Sequence, residues 1–133
     1  MTDTSVSNIG VAMFTVASQD AALDFYTGKL GFEVRADVPF GENDSMRWVE
    51  VAPPGSTARL SLNPPMQGEP GGGSIGVETK DVAGEHERIK GLGDVDVDAE
   101  LMDSPDIPLM FMLRDPDGNT VVVVEDPEVR ETA

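Results

Sequence analysis

Apolar residues recur with two periods along this 133-residue chain, and the periods change in the same order twice. Residues 9–16 are mostly apolar and rich in β-branched side chains, which predicts a strand. Ser18 then offers an N-cap oxygen, and Asp20 suits the positive end of a new helix. Leu23, Tyr26 and Leu30 share one face at steps of three and four, so the spacing predicts a helix over 19–30. Gly31 stands where a left-handed residue closes such a helix. Apolar residues at 32, 34, 36 and 38 predict a half-buried strand. A turn over 41–44, a strand over 45–51, the turn Pro53-Pro54-Gly55-Ser56 and an alternating strand over 58–62 complete a β-α-β-β-β unit.

Residues 64–73 are rich in proline and glycine, lack periodicity and read as a linker. The order then repeats. Residues 74–79 read as a strand, and Asp81 can cap a helix over 82–92 with Val82, Ile89 and Leu92 on one face. Gly93 ends it as Gly31 ends the first, at an offset of 62. Strands follow over 95–101 and 108–113. Asp115-Pro116-Asp117-Gly118-Asn119 is a strong turn sequence. A last strand over 120–124 carries four consecutive valines, whose run suggests burial on both faces. The charged tail, 126–133, reads as a fraying end. The fold class is therefore α+β: one domain over 1–133, with module one at about 8–63, a linker at 64–73 and module two at about 74–126.

Composition narrows function mainly by exclusion. Acidic residues outnumber basic ones 25 to 9, a formal net charge of −16. Phosphate backbones need Lys and Arg, so a nucleic-acid partner is excluded, and an anionic membrane surface is disfavoured likewise. The charge fits a cationic ligand or a merely solvated acidic surface. No cysteine is present, which removes disulfides, thiolate metal sites and a cysteine nucleophile. No apolar run approaches a membrane span, and residues 1–8 lack the layout of a signal peptide, so the cytoplasm is the expected location.

Three motifs carry a family resemblance. They are Asp20-Ala21-Ala22-Leu23-Asp24-Phe25-Tyr26 with Lys29-Leu30-Gly31-Phe32, then Gly76-Val77-Glu78-Thr79-Lys80-Asp81-Val82, then Leu113-Arg114-Asp115-Pro116-Asp117-Gly118-Asn119. In order and spacing they resemble the glyoxalase/bleomycin-resistance/extradiol-dioxygenase (vicinal oxygen chelate) superfamily over about residues 8–126. The resemblance implies two βαβββ modules curling into a cup-shaped mixed sheet with helices outside, a small-molecule ligand in the cup, and a homodimer.

It also implies where a metal would sit. Metal-using members place a His, Glu or Gln on the first and last strand of each module. Those positions fall here on Val11, Ser61, Ser74 and Val122. Hydrocarbon cannot bind a divalent cation, and serine hydroxyls bind one poorly. The lone histidine, His86, falls mid-helix between Glu85 and Glu87 and reads as a solvated side chain. The Asp115/Asp117 pair reads as turn chemistry rather than a diacid site.

The expectation is thus a member depleted of metal ligands, with no cofactor: a metal-independent binding protein that sequesters a cationic or aromatic ligand. The alternative is a divalent-metal lyase, isomerase or dioxygenase with non-standard ligands. Candidate ligand-binding residues are Phe40, Arg47, Trp48, Ser61, Ser74, Met110 and Met112. Trp48 serves either the core or an aromatic ligand wall, and the two methionines either fill the core or adapt to a ligand. Arg47, Arg59 and Asn63 either offer polar groups to a ligand or are solvated surface.

Overall fold

The computed structural model describes residues 3–66 and 68–132; Gln67, inside the expected linker, lies outside the described residues. Module one comprises β1 (Val11–Thr15), α1 (Gln19–Gly28), β2 (Glu33–Phe40), β3 (Met46–Ala52) and β4 (Arg59–Asn63). Module two comprises β5 (Ser74–Thr79), α2 (Val82–Leu92), β6 (Asp96–Val97), β7 (Met110–Arg114) and β8 (Thr120–Glu125). Each module forms its own four-stranded mixed sheet, ordered β1-β4-β3-β2 and β5-β8-β7-β6. In both, the first strand runs parallel to the last and the other pairings are antiparallel.

Both helices are delimited by the chemistry their sequences offer. Ser18 accepts from the Ala21 amide and Asp81 from the Gly84 amide, satisfying donors in the first turns. At the end of α1 the Phe32 amide donates back to the Tyr26 carbonyl, the long bond of a Schellman closure, with Gly31 at φ +76°. Gly93 closes α2 at φ +80°.

Each helix covers one face of its own sheet, and the two covered faces merge into one core. Phe14, Tyr26 and Phe32 of module one pack in the same cluster as Ile89, Phe111, Leu113 and Val121 of module two. The Asp115 carboxylate anchors the turn between β7 and β8 by accepting from the Asp117 and Asn119 amides. This confirms the turn reading of the Asp115/Asp117 pair.

Several expectations need correction. The alternation over 32–38 does not belong to one regular strand. Val34 pairs with Val51 on the covered face, the register shifts, and Ala36 then pairs with Glu50 on the other face. This bulge at Arg35 turns Val38 and Phe40 outward. Of the valine run, only Val121 and Val123 are buried, because one face of β8 lies open. The strand expected over 95–101 shrinks to Asp96–Val97 plus a bridge between Met102 and Met110. Residues expected to fray form a short helix, α3 (Pro127–Thr132). His86 is not solvated: it is 4% exposed, packs against Phe111 with the rings tilted, and bonds the Asp98 carbonyl through Nε2. Glu85 and Glu87 flank His86 in sequence but point away from the face on which it lies. Among the described residues no helix is long and apolar enough to cross a membrane.

Candidate functional site

A strand shows alternate side chains on opposite faces, so covering one face by a helix leaves every second residue on the other. On the open face of the first sheet lie Met13, Ser61, Trp48, Glu50, Val38 and Phe40, placed together by the pairings Met13↔Ser61, Glu50↔Ser61, Ala36↔Glu50, Val38↔Trp48 and Phe40↔Met46. Met13 is 59% exposed, Val38 49% and Phe40 42%. Such a cluster of large apolar side chains outside the core marks a surface for something other than water.

Within this face Trp48 is fixed rather than free. Its indole Nε1 donates to one oxygen of Glu50 at 3.0 Å, and Arg59 Nε donates to the other at 2.8 Å. Glu50 is only 8% exposed, so the face holds a buried carboxylate neutralised by the guanidinium beside it. The bond fixes one edge of the indole, and the side chain is half-buried. Ser61, beneath these groups, is fully buried and donates to Asn63.

The open face of the second sheet carries Ser74, Gly76 and Glu78 from β5, Val122 and Val124 from β8, and Met110 and Met112 from β7. Arg114, on the same face, is held by Asp96 and Asp98, which keep its guanidinium charged above its ordinary range. A separate cleft of ≈ 870 Å³ runs between the modules, reaching covered-face residues such as Leu60, Ile75 and Val77; of the described residues on the Trp48 face only Arg59 borders it. A volume of this size suits a drug-sized molecule.

The expected ligand-binding residues therefore divide. Phe40, Trp48 and Ser61 share the first open face, and Ser74, Met110 and Met112 share the second. Arg47 stands apart: next to Trp48 in sequence, it projects to the opposite, helix-covered side. There it bonds both oxygens of Asp37 and one of Asp20, and these bonds raise its pKa above the ordinary arginine value. The sequence leaves Arg59 as either a polar partner for a ligand or solvated surface, and it assigns Glu50 no part. Their pairing depends on register between β3 and β4, which no local pattern encodes.

The four positions to which the resemblance assigns metal ligands, Val11, Ser61, Ser74 and Val122, lie on the open faces in equivalent register. Val11 pairs with Arg59, and Ser61 lies two residues further along β4; Ser74 pairs with Thr120, and Val122 lies two residues further along β8. The geometry is symmetric, but the donors are absent: two valines and two serines do not fit a divalent cation. Among the described residues no group of three or more His, Asp or Glu side chains could hold a metal ion.

Comparison with known proteins agrees with this architecture. A family model described as the glyoxalase/bleomycin resistance protein/dioxygenase superfamily matches residues 8–123. The uncharacterized protein YetH of Bacillus subtilis (strain 168) is 33% identical over 126 residues, covering 90% of this chain and 99% of YetH. Among solved structures, TnmS3, an antibiotic binding protein from Streptomyces sp. CB03234, is 30% identical with a TM-score of 0.80, over 92% of this chain and 98% of TnmS3. A superfamily member from Sphaerobacter thermophilus DSM 20745 is 31% identical with a TM-score of 0.81, over 91% of this chain and 98% of that protein.

Proposed function

We propose that this chain, which belongs to the glyoxalase/bleomycin resistance protein/dioxygenase superfamily, binds and sequesters a small aromatic or cationic organic molecule without a metal ion. The observation that carries this reading is the open face around Trp48. An indole anchored by Glu50, with half-exposed Val38 opposite it on β2 and half-exposed Phe40 and Met13 on the same sheet face, offers a surface for a flat apolar molecule. The likeness to TnmS3, an antibiotic binding protein, supports a binding role. The side chains of Val11, Ser61, Ser74 and Val122 support metal independence, because none supplies a carboxylate or imidazole donor.

The same open faces support a homodimer as the working form. A second copy laid over them removes the exposed apolar surface from water and closes a ligand between sheets. The proposed setting is the cytoplasm.

Metal analysis of the purified protein, paired with melting curves, tests this reading. We expect no stoichiometric metal and no stabilisation by Zn²⁺, Ni²⁺, Mn²⁺ or Fe²⁺. A bound organic ligand, in contrast, stabilises by mass action, about 2.7 kcal/mol at a hundredfold excess over its dissociation constant. A stoichiometric metal that raises the melting temperature would overturn the reading in favour of a metal-dependent enzyme.

A further inference from the structure

Arg59 differs from Arg35, Arg47, Arg88 and Arg114 in how its guanidinium is used. Arg35 and Arg47 each engage Nε and both terminal nitrogens, Arg88 engages Nε and one terminal nitrogen, and Arg114 makes both its bonds through one. Arg59 is held by Nε alone, to Glu50. Among the described residues no acceptor bonds either of its terminal nitrogens. The side chain is 38% exposed and lines the cleft of ≈ 870 Å³.

This leaves a planar two-pronged donor, clamped at its root and unoccupied at its tip. A guanidinium in that state matches an oxygen acceptor, and it loses little freedom on binding one because the clamp has already ordered it. The clamp also disposes of the carboxylate. Both oxygens of Glu50 are taken, one by Arg59 and one by Trp48, so the face offers an organic cation no free counter-charge.

We propose that Arg59 is the specificity-determining residue of the Trp48 face, and that the ligand is a planar aromatic bearing an oxygen acceptor at its edge rather than a cation. The inference rests on the proposed ligand-binding role of that face and narrows its ligand class. The ring lies against Trp48 and the acceptor oxygen meets the terminal nitrogens of Arg59. Carbonyl and carboxylate oxygens share this chemistry. Glu78 and Asp126 across the cleft, and a net charge of −16, weigh against a full anion. The uncharged carbonyl is therefore the favoured form, and binding of the carboxylate strengthens as salt screens the surrounding charge.

Calorimetric titration with three probes on one ring tests this: 2-naphthamide, 2-naphthoate and 2-naphthylmethylammonium. For the unmodified chain we expect the amide and, at high salt, the carboxylate to bind about 10-fold or more tighter than the ammonium, the range of one charge-assisted hydrogen bond. Arg59→Gln removes that preference and frees Glu50, so the ammonium gains. Arg59→Lys keeps charge without the fork and falls between. Glu50→Gln/Arg59→Gln, which leaves no buried unpaired charge, guards against misfolding and shows no preference in either direction. Melting curves establish that each variant is folded. Preference for the ammonium by the unmodified chain, or an unchanged order in folded Arg59→Gln, overturns the inference and leaves the binding site standing. Failure of all three probes to bind the unmodified chain overturns both.

Discussion

The Tyr26 hydroxyl donates to the Asp115 carboxylate at 2.9 Å, across 89 positions of sequence. That one bond fastens the helix of the first module to the β7–β8 turn of the second. The same carboxylate accepts from the side-chain amide of Asn119, which also donates to the Thr15 carbonyl at the end of β1. The two modules thus meet through a buried polar knot as well as through their shared apolar core.

Removing the hydroxyl alone measures that fastening. Tyr26→Phe keeps the ring against Phe14, Phe25 and Phe32 and leaves Asp115 with one donor fewer. A bond to a buried charged acceptor predicts a loss of about 2 kcal/mol in urea unfolding. A loss below a few tenths of a kcal/mol would show that this bond adds nothing to the joining of the modules.

Alkaline pH probes the same group by another route. Burial first, and then the Asp115 carboxylate, push the Tyr26 phenol far above its ordinary value. In the unfolded chain it ionises near about pH 10. Because the folded pKa is raised, the stability this phenol contributes is complete below that pH and is withdrawn as pH rises toward the folded value. Melting temperatures between about pH 8 and 11 are therefore expected to fall more steeply for the natural chain than for Tyr26→Phe. Tyr26 is the only tyrosine, so absorbance at the tyrosinate band is expected to appear only with unfolding. Tyrosinate forming in the folded protein would contradict the burial described.

The glycine run before β5 separates two kinds of constraint. Gly71 and Gly72 both have positive φ, at +91° and +82°. A Cβ on Gly72 meets nothing within 4 Å, whereas one on Gly71 would overlap the Asp117 backbone carbonyl. Gly72→Ala is expected to cost about 1 kcal/mol, the strain of left-handed backbone. Gly71→Ala is expected to cost at least twice that, since rigid backbone must also move. Equal losses in chemical unfolding would argue against close docking of this linker on the β7–β8 turn.

Much of this fold is legible in the sequence because its signals are local. Ser18, Asp81, Gly31 and Gly93 mark helix ends by chemistry that acts within a few residues. The Asp115–Asn119 turn does the same. The candidate site is less legible because it depends on register. Trp48 and Phe40 are readable as candidates, Trp48 as either core or ligand wall and Phe40 by its place before the Gly41 turn. That Arg47 belongs to the other face, and that Arg59 clamps Glu50, follow only once β3 is aligned with β2 and β4. The bulge at Arg35 is the sharpest example: one extra residue reassigns Val38 and Phe40 to the open face, and no composition signal announces it. His86 was obscured differently, by charged neighbours that lie on another side of the same helix turn.

An organic ligand that occupies the Trp48 face without a metal is detectable through Trp48 itself. Trp48 is the only tryptophan, so its emission reports on that face alone. The direct measurement is its titration with the naphthalene amide and with a panel of aromatic antibiotics, first in EDTA and then with added Zn²⁺. We expect saturable changes in Trp48 emission at the same ligand concentrations in both conditions. Emission that responds only when Zn²⁺ is present, or that responds to no member of the panel, would contradict metal-free binding at this face.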